Sequence, residues 1–313
     1  MRKNGSRFRR VIHSLISNPR KILIYMNSLH LLNWIPDEQF LLLLWKARFG
    51  TELDLKHPES FNEKMQWLKL YDRNPLHTRL VDKYAVKSYV SNIIGEEHVI
   101  PTLAFWESPD EIDFSVLPDR FVLKCNHTSG EGLILCRDKS KMNPASVKAT
   151  LKKAMKSDYY LTYREWPYKN VPRKILAEPY MEDTKAAAAG LDSLPVYKFL
   201  CFEGTPRIIQ TIQNDKMPNE TIDYFDTSWN LLPFHQNYPN SPVTMPRPER
   251  LDSMLQIAGK LSAGFHFVRI DLYEVNGDIY FSEFTFFSDA GFAPFHPESW
   301  NHLLGSWIKL PTD

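Results

Sequence analysis

The stretch that most constrains the fold runs from Phe265 to Phe287 and reads FHFVRIDLYEVNGDIYFSEFTFF. Two runs rich in β-branched and aromatic residues flank Asn276-Gly277, a dipeptide typical of tight hairpin turns. The sequence therefore predicts a β-hairpin. Its register matters because side chains alternate between the two faces of a strand, so a shift of one residue exchanges the faces.

Two registers are open for this hairpin. A two-residue turn at Asn276-Gly277 pairs Val275 with Asp278 and puts Asp271 and Glu283 on opposite faces. A three-residue loop that begins at Val275 reverses the parity and brings the two carboxylates together. The hydrophobic pattern favours the three-residue loop, whereas Asn-Gly by itself favours the two-residue turn. In the favoured register the apolar face, interrupted by Ser282, consists of Val268, Ile270, Leu272, Tyr280, Phe284 and Phe286. The other face carries Arg269, Asp271, Glu283 and Thr285.

The polar face of the hairpin predicts either an ion-binding site or an ion-paired surface. Two carboxylates on adjacent strands suit Mg²⁺, which takes hard oxygen ligands and keeps water or phosphate oxygens around it. Arg269 beside them can hold a phosphate or carboxylate oxygen. A solvent-facing Arg–Asp–Glu network is the alternative, because charge clusters occur in functional sites and in structural networks alike.

Length and composition bound the class of protein. The chain has 313 residues, of which 43% are hydrophobic, enough for one large domain or two to three lobes. A formal net charge of +1 argues against a positive electrostatic field over the whole chain that would attract nucleic acid. The cysteines, Cys125, Cys136 and Cys201, show no paired spacing, which argues against disulfides or a thiolate zinc site and indicates a reducing, cytoplasmic compartment. We expect neither a signal peptide nor a membrane-spanning helix.

The beginning of the chain is basic. Every charged residue between Arg2 and Lys21 is Lys or Arg. Such an arm is either a solvated tail, which a single basic cluster favours, or a peripheral contact to the inner face of an anionic membrane. Apolar residues at helical spacing between Arg9 and Lys46, with breaks at Pro19 and Pro36, predict helices in this region.

A glycine-bearing polar loop joins two further strand signals. Phe121–Cys125 predicts a strand with Lys124 near its end, Asn126–Gly132 is the loop, and Leu133–Arg137 predicts the next strand. Backbone N–H groups of such a loop can close on phosphate oxygens while a lysine supplies charge. The loop is not a Walker motif, because no Gly-Lys-Ser/Thr opens a helix after it. A hairpin with a flexible tip and a phosphate lid both fit the pattern, and we assign no role to His127.

The remaining pattern mixes helices and strands. Helices are expected at Glu63–Tyr71, Leu80–Ile94, Met142–Lys156, Leu251–Ala263 and around Trp300–Leu310. Strands are expected at His98–Leu103, Lys174–Asp183, Val196–Phe202 and Arg207–Ile212. Asn214–Arg250 is rich in Pro, Asn and Asp and is interpreted as an excursion of loops. Asp82 and Lys83 then lie on the first turns of the helix Leu80–Ile94.

Five motifs, in order, resemble the TupA-like ATP-grasp family of bacterial teichuronopeptide and surface-polysaccharide biosynthesis. They are FNEKMQWLKLYDRNP, FVLKCNHTSGEG, ILAEPYM, YKFLCFEG and VRIDLYEVNGDIYFSEFTF, and the resemblance covers roughly residues 55–305. It implies an α+β ATP-grasp fold, in which two antiparallel sheet lobes hold ATP, preceded by a helical N-terminal extension. The expected boundaries are 1–54 for the basic helical extension, 55–118 for the N-terminal lobe, 119–184 for the lid subdomain and 185–313 for the metal-binding lobe.

The resemblance also implies roles for matching positions. The residues implied in ATP binding are Lys83, Lys124, Ser129, Gly130, Glu178, Tyr180, Glu182 and Asp183. The two lysines hold phosphates, the Ser-Gly pair belongs to the lid, the Glu-Pro-Tyr edge meets adenine, and Glu182 or Asp183 meets the ribose. The implied ligands of Mg²⁺ are Asp271, Glu283 and Thr285, and the implied catalytic residues are Arg269 and Lys198. Most ATP-grasp enzymes carry Asn where Thr285 stands, and a threonine oxygen is also a hard ligand.

The activity implied by the resemblance is an ADP-forming carboxylate–amine ligase. A substrate carboxylate attacks the γ-phosphoryl group of ATP to form an acylphosphate, and an amine then displaces phosphate to give an amide. The implied partners are a uronic-acid-containing sugar or polysaccharide and an amino acid, with no nucleic acid. Another glycan-assembly transferase, such as a kinase or glycosyltransferase, and a non-catalytic nucleotide-binding protein are the alternatives. The sequence leaves the oligomeric state undetermined.

Overall fold

The computed structural model describes residues 19–188, 194–215 and 217–311. Most of the predicted basic arm, residues 1–18, lies outside the described residues. The described residues form two antiparallel sheets with helices packed against them. Within these ranges no helix combines the length and the apolar character needed to cross a bilayer.

Two helices, α1 (Pro19–Ser28) and α2 (Asp37–Phe49), form the described part of the N-terminal extension. Their apolar side chains, including the fully buried Phe40, pack with Phe292 from the C-terminal part of the chain. Arg164 fastens the extension, because its guanidinium lies over the Phe40 ring and donates to two carbonyl oxygens of the segment between the helices. The extension is therefore docked on the rest of the protein.

The predicted single helix Leu80–Ile94 is wrong. The chain instead forms α4 (Leu76–Val81) and α5 (Val86–Ile94), which are separated by a turn. The Asp82 carboxylate accepts hydrogen bonds from two of the following backbone N–H groups, at 2.8 and 3.3 Å, and such a local contact stabilises a turn in competition with the helix. Lys83 consequently lies in this turn rather than on a helix.

Helix α3 (Phe61–Tyr71) begins with a capping box at Ser60 and packs against the C-terminal helix α10 (Ser299–Ser306). The two helices approach closely at Gly305. A Cβ atom there would lie 2.2 Å from a carbonyl oxygen just before α3. Glycine is required at this crossing because no side chain fits between the two backbones.

The first sheet has the strand order β1-β4-β2-β3 and is antiparallel throughout. Its strands are β1 (Ala104–Trp106), β2 (Phe121–Cys125), β3 (Ile134–Cys136) and β4 (Ile175–Pro179). Helix α6 (Pro144–Ala154) covers one face, and the short helix α7 (Tyr160–Tyr163) follows it. The predicted strand His98–Leu103 is wrong, since β1 begins only at Ala104. Pro101 lies inside the predicted stretch and has no N–H to donate to a ladder.

The second sheet has the strand order β7-β6-β5-β8-β9 and is also antiparallel. Its strands are β5 (Val196–Phe202), β6 (Thr205–Gln213), β7 (Thr221–Asp226), β8 (Phe267–Val275) and β9 (Asp278–Thr285). Helix α9 (Leu251–Ser262) packs against it, and α8 (Thr184–Ala188) precedes it in the chain. Strand β7 lies within Asn214–Arg250, where we expected only loops, so that expectation is wrong for these six residues. Backbone pairing with β6 makes these six residues a strand, although residues typical of turns surround them in the sequence.

The turn of the β8–β9 hairpin has two residues. Val275 pairs with Asp278 across Asn276-Gly277, and the φ angles of 53° and 91° are those of a type I′ turn. The three-residue loop that the hydrophobic pattern favoured is therefore wrong. The local turn chemistry of Asn-Gly decides the connection.

A β-bulge farther along the hairpin reverses the parity. Leu272 pairs with Phe281, whereas Asp271 pairs with Glu283, so that Ser282 is an extra residue in β9. The two carboxylates consequently lie opposite each other on one face, as predicted. The predicted result is right although the predicted turn is wrong.

The two-residue turn also changes which residues of β9 enter the core. Tyr280, expected on the apolar face, pairs instead with Tyr273 on the side of the carboxylates. Ile279 and Phe281 are buried in its place, at 2% and 5% exposure. The assignment of Tyr280 to the core is therefore wrong.

Candidate nucleotide and metal site

The bulge gathers a row of polar side chains on the second sheet. Asp271 pairs with Glu283 on one side and with Lys198 on the other, and the Lys198 ammonium lies 3.4 Å from the Asp271 carboxylate. Arg269, two positions earlier on β8, donates two hydrogen bonds to Asp271 at 2.7 and 2.8 Å. It donates a further bond to the Thr285 hydroxyl at 3.1 Å. The structure thus brings together all five residues predicted here.

Asp271 is buried and surrounded by positive charge. Burial raises its pKa, but Arg269 and Lys198 more than offset this effect and hold the pKa below its usual value. Burial likewise lowers the pKa of Arg269, and the charges of Asp271 and Glu283 more than reverse that. Asp271 and Arg269 are therefore both charged at neutral pH, as a site for phosphate and a cation requires.

The donor set of the row fits Mg²⁺. Asp271, Glu283 and Thr285 offer hard oxygen atoms, the ligand type that this ion prefers. Among the described residues no group of three or more His, Cys, Asp or Glu side chains is placed to hold a metal ion. Both Asp271 oxygens accept bonds from Arg269. Cation binding therefore requires the guanidinium to move to another acceptor.

Lys83 reaches the row from the opposite side of the cleft. Its ammonium donates to the carbonyl oxygen of Thr128 in the glycine-bearing loop at 2.8 Å and lies 3.7 Å from Glu283. Burial lowers the pKa of Lys83, and Glu283 opposes this effect. The turn between α4 and α5 thus delivers a lysine to both the loop and the second sheet.

Lys124 is engaged with Glu178, the carboxylate of the Glu-Pro-Tyr edge at the end of β4. Its ammonium lies 2.6 Å from Glu178, and Lys87 lies 2.5 Å from the other oxygen of the same carboxylate. Burial raises the pKa of Glu178, and the two lysines more than offset it, so that the pKa is lowered. Sequence reasoning assigned no role to Lys87. Its spacing of four residues from Lys83 was the available signal.

A cavity between the two sheets connects these groups. Its lining includes Lys83, Lys87, Lys124, Glu178, Tyr273 and Phe281. The first four come from the N-terminal side and the last two from the second sheet. The lysines predicted to bind phosphate and the Glu178 carboxylate therefore share one cleft with the β8–β9 hairpin.

The loop between β2 and β3 is anchored at its base and open at its tip. Asn126 is fully buried, and its amide donates to Asp82 at 2.8 Å. A Cβ atom at Gly132 would lie 2.7 Å from Ala154, so this glycine is packed against α6. At Gly130, with a φ of 83°, a Cβ atom would meet nothing within 4 Å. The tip therefore leaves its backbone accessible to a ligand.

The three predicted residues that follow β4 lie in different environments. Tyr180 lies under the guanidinium of Arg120, which also pairs with the half-exposed Glu182 at 3.0 Å. Asp183 is buried, and its carboxylate accepts a hydrogen bond from the backbone N–H of Asn276 at 2.8 Å. Of the two ribose candidates, Glu182 keeps an accessible carboxylate while Asp183 anchors the tip of the β8–β9 hairpin.

A further wall of the site comes from a segment that sequence reasoning left unassigned. Glu165 is buried, 3.5 Å from the hydroxyl of Tyr159, and the rings of Tyr159 and Tyr168 meet edge to face at 4.7 Å. The Glu165 carboxylate and burial raise the pKa of Tyr159, and the charges of Glu283 and Arg269 also act on it, so this wall lies within electrostatic reach of the polar row. The dense tyrosines of DYYLTYREWPY were the signal that could have revealed it.

A known family accounts for this arrangement. The model of the TupA-like ATP-grasp family matches residues 63–309. The chain belongs to the TupA-like ATP-grasp family. Two antiparallel sheets with a cleft between them are what the family assignment implies, so the expected α+β ATP-grasp fold is confirmed. This fold implies that the cleft binds ATP.

Solved structures show a distant likeness to this TupA-like protein. D-alanine–D-alanine ligase from Bacillus anthracis complexed with ATP is 14% identical, with a TM-score of 0.38, and 66% of this chain and 53% of that chain are covered. The same ligase from Helicobacter pylori is 14% identical, with a TM-score of 0.40 and coverages of 80% and 70%. The ATP-grasp ligase PsnB, complexed with minimal precursor, Mg and ADP, is 10% identical, with a TM-score of 0.36 and coverages of 88% and 65%. The chain thus spans about half the length of the first of these ligases. Comparison with curated proteins gave no match.

Proposed function

We propose that this TupA-like ATP-grasp protein is an ADP-forming ligase that joins a carboxylate to an amine through an acylphosphate. One observation carries the proposal: Lys83 and Lys124 line the same cleft that the paired carboxylates Asp271 and Glu283 face. Phosphoryl transfer needs mainly positioning and neutralisation of charge, which this set of groups supplies.

In this proposal each side of the cleft has its own task. Lys83 and Lys124 hold the phosphates of ATP, and the Glu178 edge of β4, with Tyr180, meets adenine. Glu182 is the residue that meets the ribose. The present contact of Lys124 with Glu178 is exchanged for a phosphate when the nucleotide enters.

On the second sheet, Arg269 and Lys198 orient the substrate carboxylate for attack on the γ-phosphorus. Their positive charge also stabilises the negative charge that develops there. A Mg²⁺ ion held by Asp271, Glu283 and Thr285 would neutralise charge on the transferring phosphoryl group. Arg269 can leave Asp271 because a phosphate oxygen offers an equivalent acceptor.

The loop at Ser129 and Gly130 acts as a lid in this reaction. Its open tip lets backbone N–H groups approach phosphate oxygens, and the left-handed conformation at Gly130 suits glycine. A closed lid keeps water away from the acylphosphate, which would otherwise hydrolyse.

The proposed substrates are an amino acid as the amine and a uronic-acid-containing sugar or polysaccharide as the acid. Support comes from the five motifs that resemble a family of surface-polysaccharide biosynthesis. The wall formed by Tyr159 and Tyr168 adds amphipathic surfaces of the kind that bind a sugar ring through its apolar face and its hydroxyls.

We also propose that the enzyme is cytoplasmic and touches the inner face of the membrane through its N-terminal extension. Supporting features are the basic arm in the sequence and four apolar side chains exposed by 41% to 81% just after it. They are Tyr25, Leu29, Leu31 and Trp34. Basic residues attract anionic lipids, and aromatic and aliphatic side chains enter the interface.

Glu283→Gln tests the function. We expect Mg²⁺-dependent ATP binding, measured by calorimetry, to be lost, and ADP formation from ATP, acid and amine to fall by about a hundredfold or more. Glu249→Gln, at an exposed ion pair with Lys185, is the matched control and should change neither quantity. Normal turnover in Glu283→Gln would contradict the metal assignment.

The dependence on substrates separates the alternatives. ADP and phosphate formation that requires both an acid and an amine supports the ligase. ADP formation that needs no amine would indicate a kinase. ATP binding by the wild type without turnover on any acid and amine would indicate a non-catalytic protein.

A further inference from the structure

A strained turn follows the metal-binding hairpin. Asp289, Ala290 and Gly291 all have left-handed backbones, with φ angles of 47°, 53° and 64°. Residues other than glycine rarely adopt this conformation because Cβ crowds the backbone, and two in succession are rarer still. Such a segment persists only where its surroundings hold it.

Two buried side chains of α3 hold the turn. The Lys69 ammonium donates to the carbonyl oxygen of Ala290 at 2.6 Å, and the Gln66 amide donates to that of Gly291 at 2.8 Å. Lys69 also donates to Gln66 at 3.0 Å, and both are at most 1% exposed. A buried ammonium is costly, so its use to fix a turn on the surface indicates that the position of that turn matters.

The turn places the exposed carboxylate of Asp289 near the polar row on β8. The side chain of Asp289 is exposed, and the hydroxyl of its neighbour Ser288 lies 3.4 Å from the Arg269 guanidinium, a donor to it. The charge of Asp289 acts on Arg269 and on Glu165 of the tyrosine wall. Asp289 therefore lies within electrostatic reach of Glu165 and of Arg269 in the row on β8.

The ion pairs of the neighbouring carboxylates indicate which kind of group Asp289 can bind. Asp271 is paired with Arg269 and Lys198, and Glu283 has Lys83 and Arg269 within 3.7 Å. Within the described residues, no ion pair engages Asp289. An ammonium group that approaches the cationic side chains of the row needs a carboxylate to offset their repulsion.

We propose that Asp289 binds the ammonium group of the amine substrate and that Gln66 and Lys69 are positioning residues for it. This inference rests on the proposed ligase function and names the residue that selects a cationic amine for that same site. It also gives a task to the motif FNEKMQWLKLY, which supplies both positioning residues.

Asp289→Asn is the direct test, because asparagine tolerates the left-handed conformation and keeps the turn while removing the charge. The wild type and the variant are assayed with ATP, Mg²⁺ and a panel of uronic acids, with either an amino acid or hydroxylamine as the amine. Hydroxylamine is uncharged at neutral pH and traps the acylphosphate as a hydroxamate. We expect the KM for the amino acid to rise about tenfold or more while the rate of hydroxamate formation stays within about twofold. Asp252→Asn, at an exposed ion pair with Arg247, should change neither quantity.

Lys69→Met tests the positioning role. Its KM for the amino acid should rise, and the variant that combines Lys69→Met with Asp289→Asn should show the KM of Asp289→Asn alone, because both changes act through one carboxylate. A purely structural role of Lys69 would lower hydroxamate formation and leave this KM unchanged, which would contradict the positioning role.

The outcomes separate this inference from the proposed function. An unchanged amino-acid KM in Asp289→Asn, with hydroxamate formation intact, overturns the inference alone. Equal loss of both reactions also overturns it, because Asp289 would then act before the amine enters. A wild type that forms no hydroxamate with any acid overturns the ligase function, and the inference with it.

Discussion

One residue, Ser282, decides whether Asp271 and Glu283 lie on the same face of the second sheet. In an unbroken ladder from the two-residue turn, Asp271 would pair with Ser282, and Glu283 would pair with Ile270 on the core side. The extra residue moves Glu283 opposite Asp271. The bulge therefore allows a two-residue Asn-Gly turn and still places both carboxylates on one face of the sheet.

His77 gives a prediction at the same scale. It is 3% exposed, stacked on Phe286 at 4.0 Å, and burial lowers its pKa to about 4. The folded state therefore favours the neutral ring, and the stability present above pH 6.5 is lost as the pH falls toward 4. Between pH 7 and pH 5 this contribution to the free energy of unfolding falls by about 2 kcal/mol.

Urea unfolding of the wild type and His77→Phe at these two pH values measures the effect. The variant should show a pH dependence smaller by about that amount, since phenylalanine does not titrate. His57→Gln, at an exposed histidine, is the control and should keep the dependence of the wild type. An unchanged dependence in His77→Phe would contradict the assigned origin.

At the scale of elements, the β8–β9 hairpin and the segment that follows β4 form one unit. Asn276 at the hairpin tip donates its backbone N–H to Asp183, and its side-chain oxygen accepts bonds from the backbone and hydroxyl of Thr184 at 2.9 Å. Hydrogen bonds thus connect the segment after β4 to the β8–β9 hairpin. In our proposal the first of these elements meets adenine and the second holds the metal. Asn276 therefore forms part of the hairpin turn and also connects the hairpin to the segment that follows β4.

The crossing of α3 and α10 gives a prediction for two glycines. Gly305→Ala should lower the free energy of unfolding by about 1 to 3 kcal/mol, because the new Cβ would overlap the backbone before α3. Gly259→Ala in α9 should raise it by about 0.5 to 1 kcal/mol, because its Cβ meets only Pro206, at 3.8 Å. Equal effects of the two substitutions in denaturant unfolding would contradict the close-packed crossing.

At the scale of the whole molecule, the N-terminal extension is connected to the site. Its core includes Ala290 and Phe292, and the Lys69 ammonium lies 4.7 Å from the centre of the Phe292 ring. The extension thus packs behind the same turn that displays Asp289. A contact made by the extension is therefore made close to the proposed amine site.

Membrane contact is a prediction for the whole protein. The wild type should sediment with vesicles that contain phosphatidylglycerol and not with vesicles of phosphatidylcholine alone, because the basic arm needs anionic lipid. Trp34→Ser should weaken sedimentation, since Trp34 is 81% exposed and follows the arm in the sequence. Val116→Ser, at a 64% exposed valine outside the extension, is the control and should have no effect. Equal binding to both kinds of vesicle would contradict the electrostatic contact.

The sequence by itself determined the features that local pattern encodes. Alternation of apolar residues and turn chemistry predicted the β8–β9 hairpin, the strand–loop–strand around Lys124 and the strand before Tyr180. The ordered motifs predicted the ATP-grasp fold, which the family assignment confirms. The roles of the individual site residues and the four domain boundaries stay predictions.

Only the tertiary structure decided the features that depend on contacts between distant residues. The bulge at Ser282 and strand β7 left no periodic signal in the sequence. The spacing of Lys87 from Lys83 and the dense tyrosines of the wall are visible in the sequence, but the groups that they contact are not. Lys69 and Ala290 are 221 positions apart, and their hydrogen bond exists only because α3 packs under the turn. Local propensity cannot encode such a contact, because its free energy comes from burial and geometry that arise after the elements have assembled.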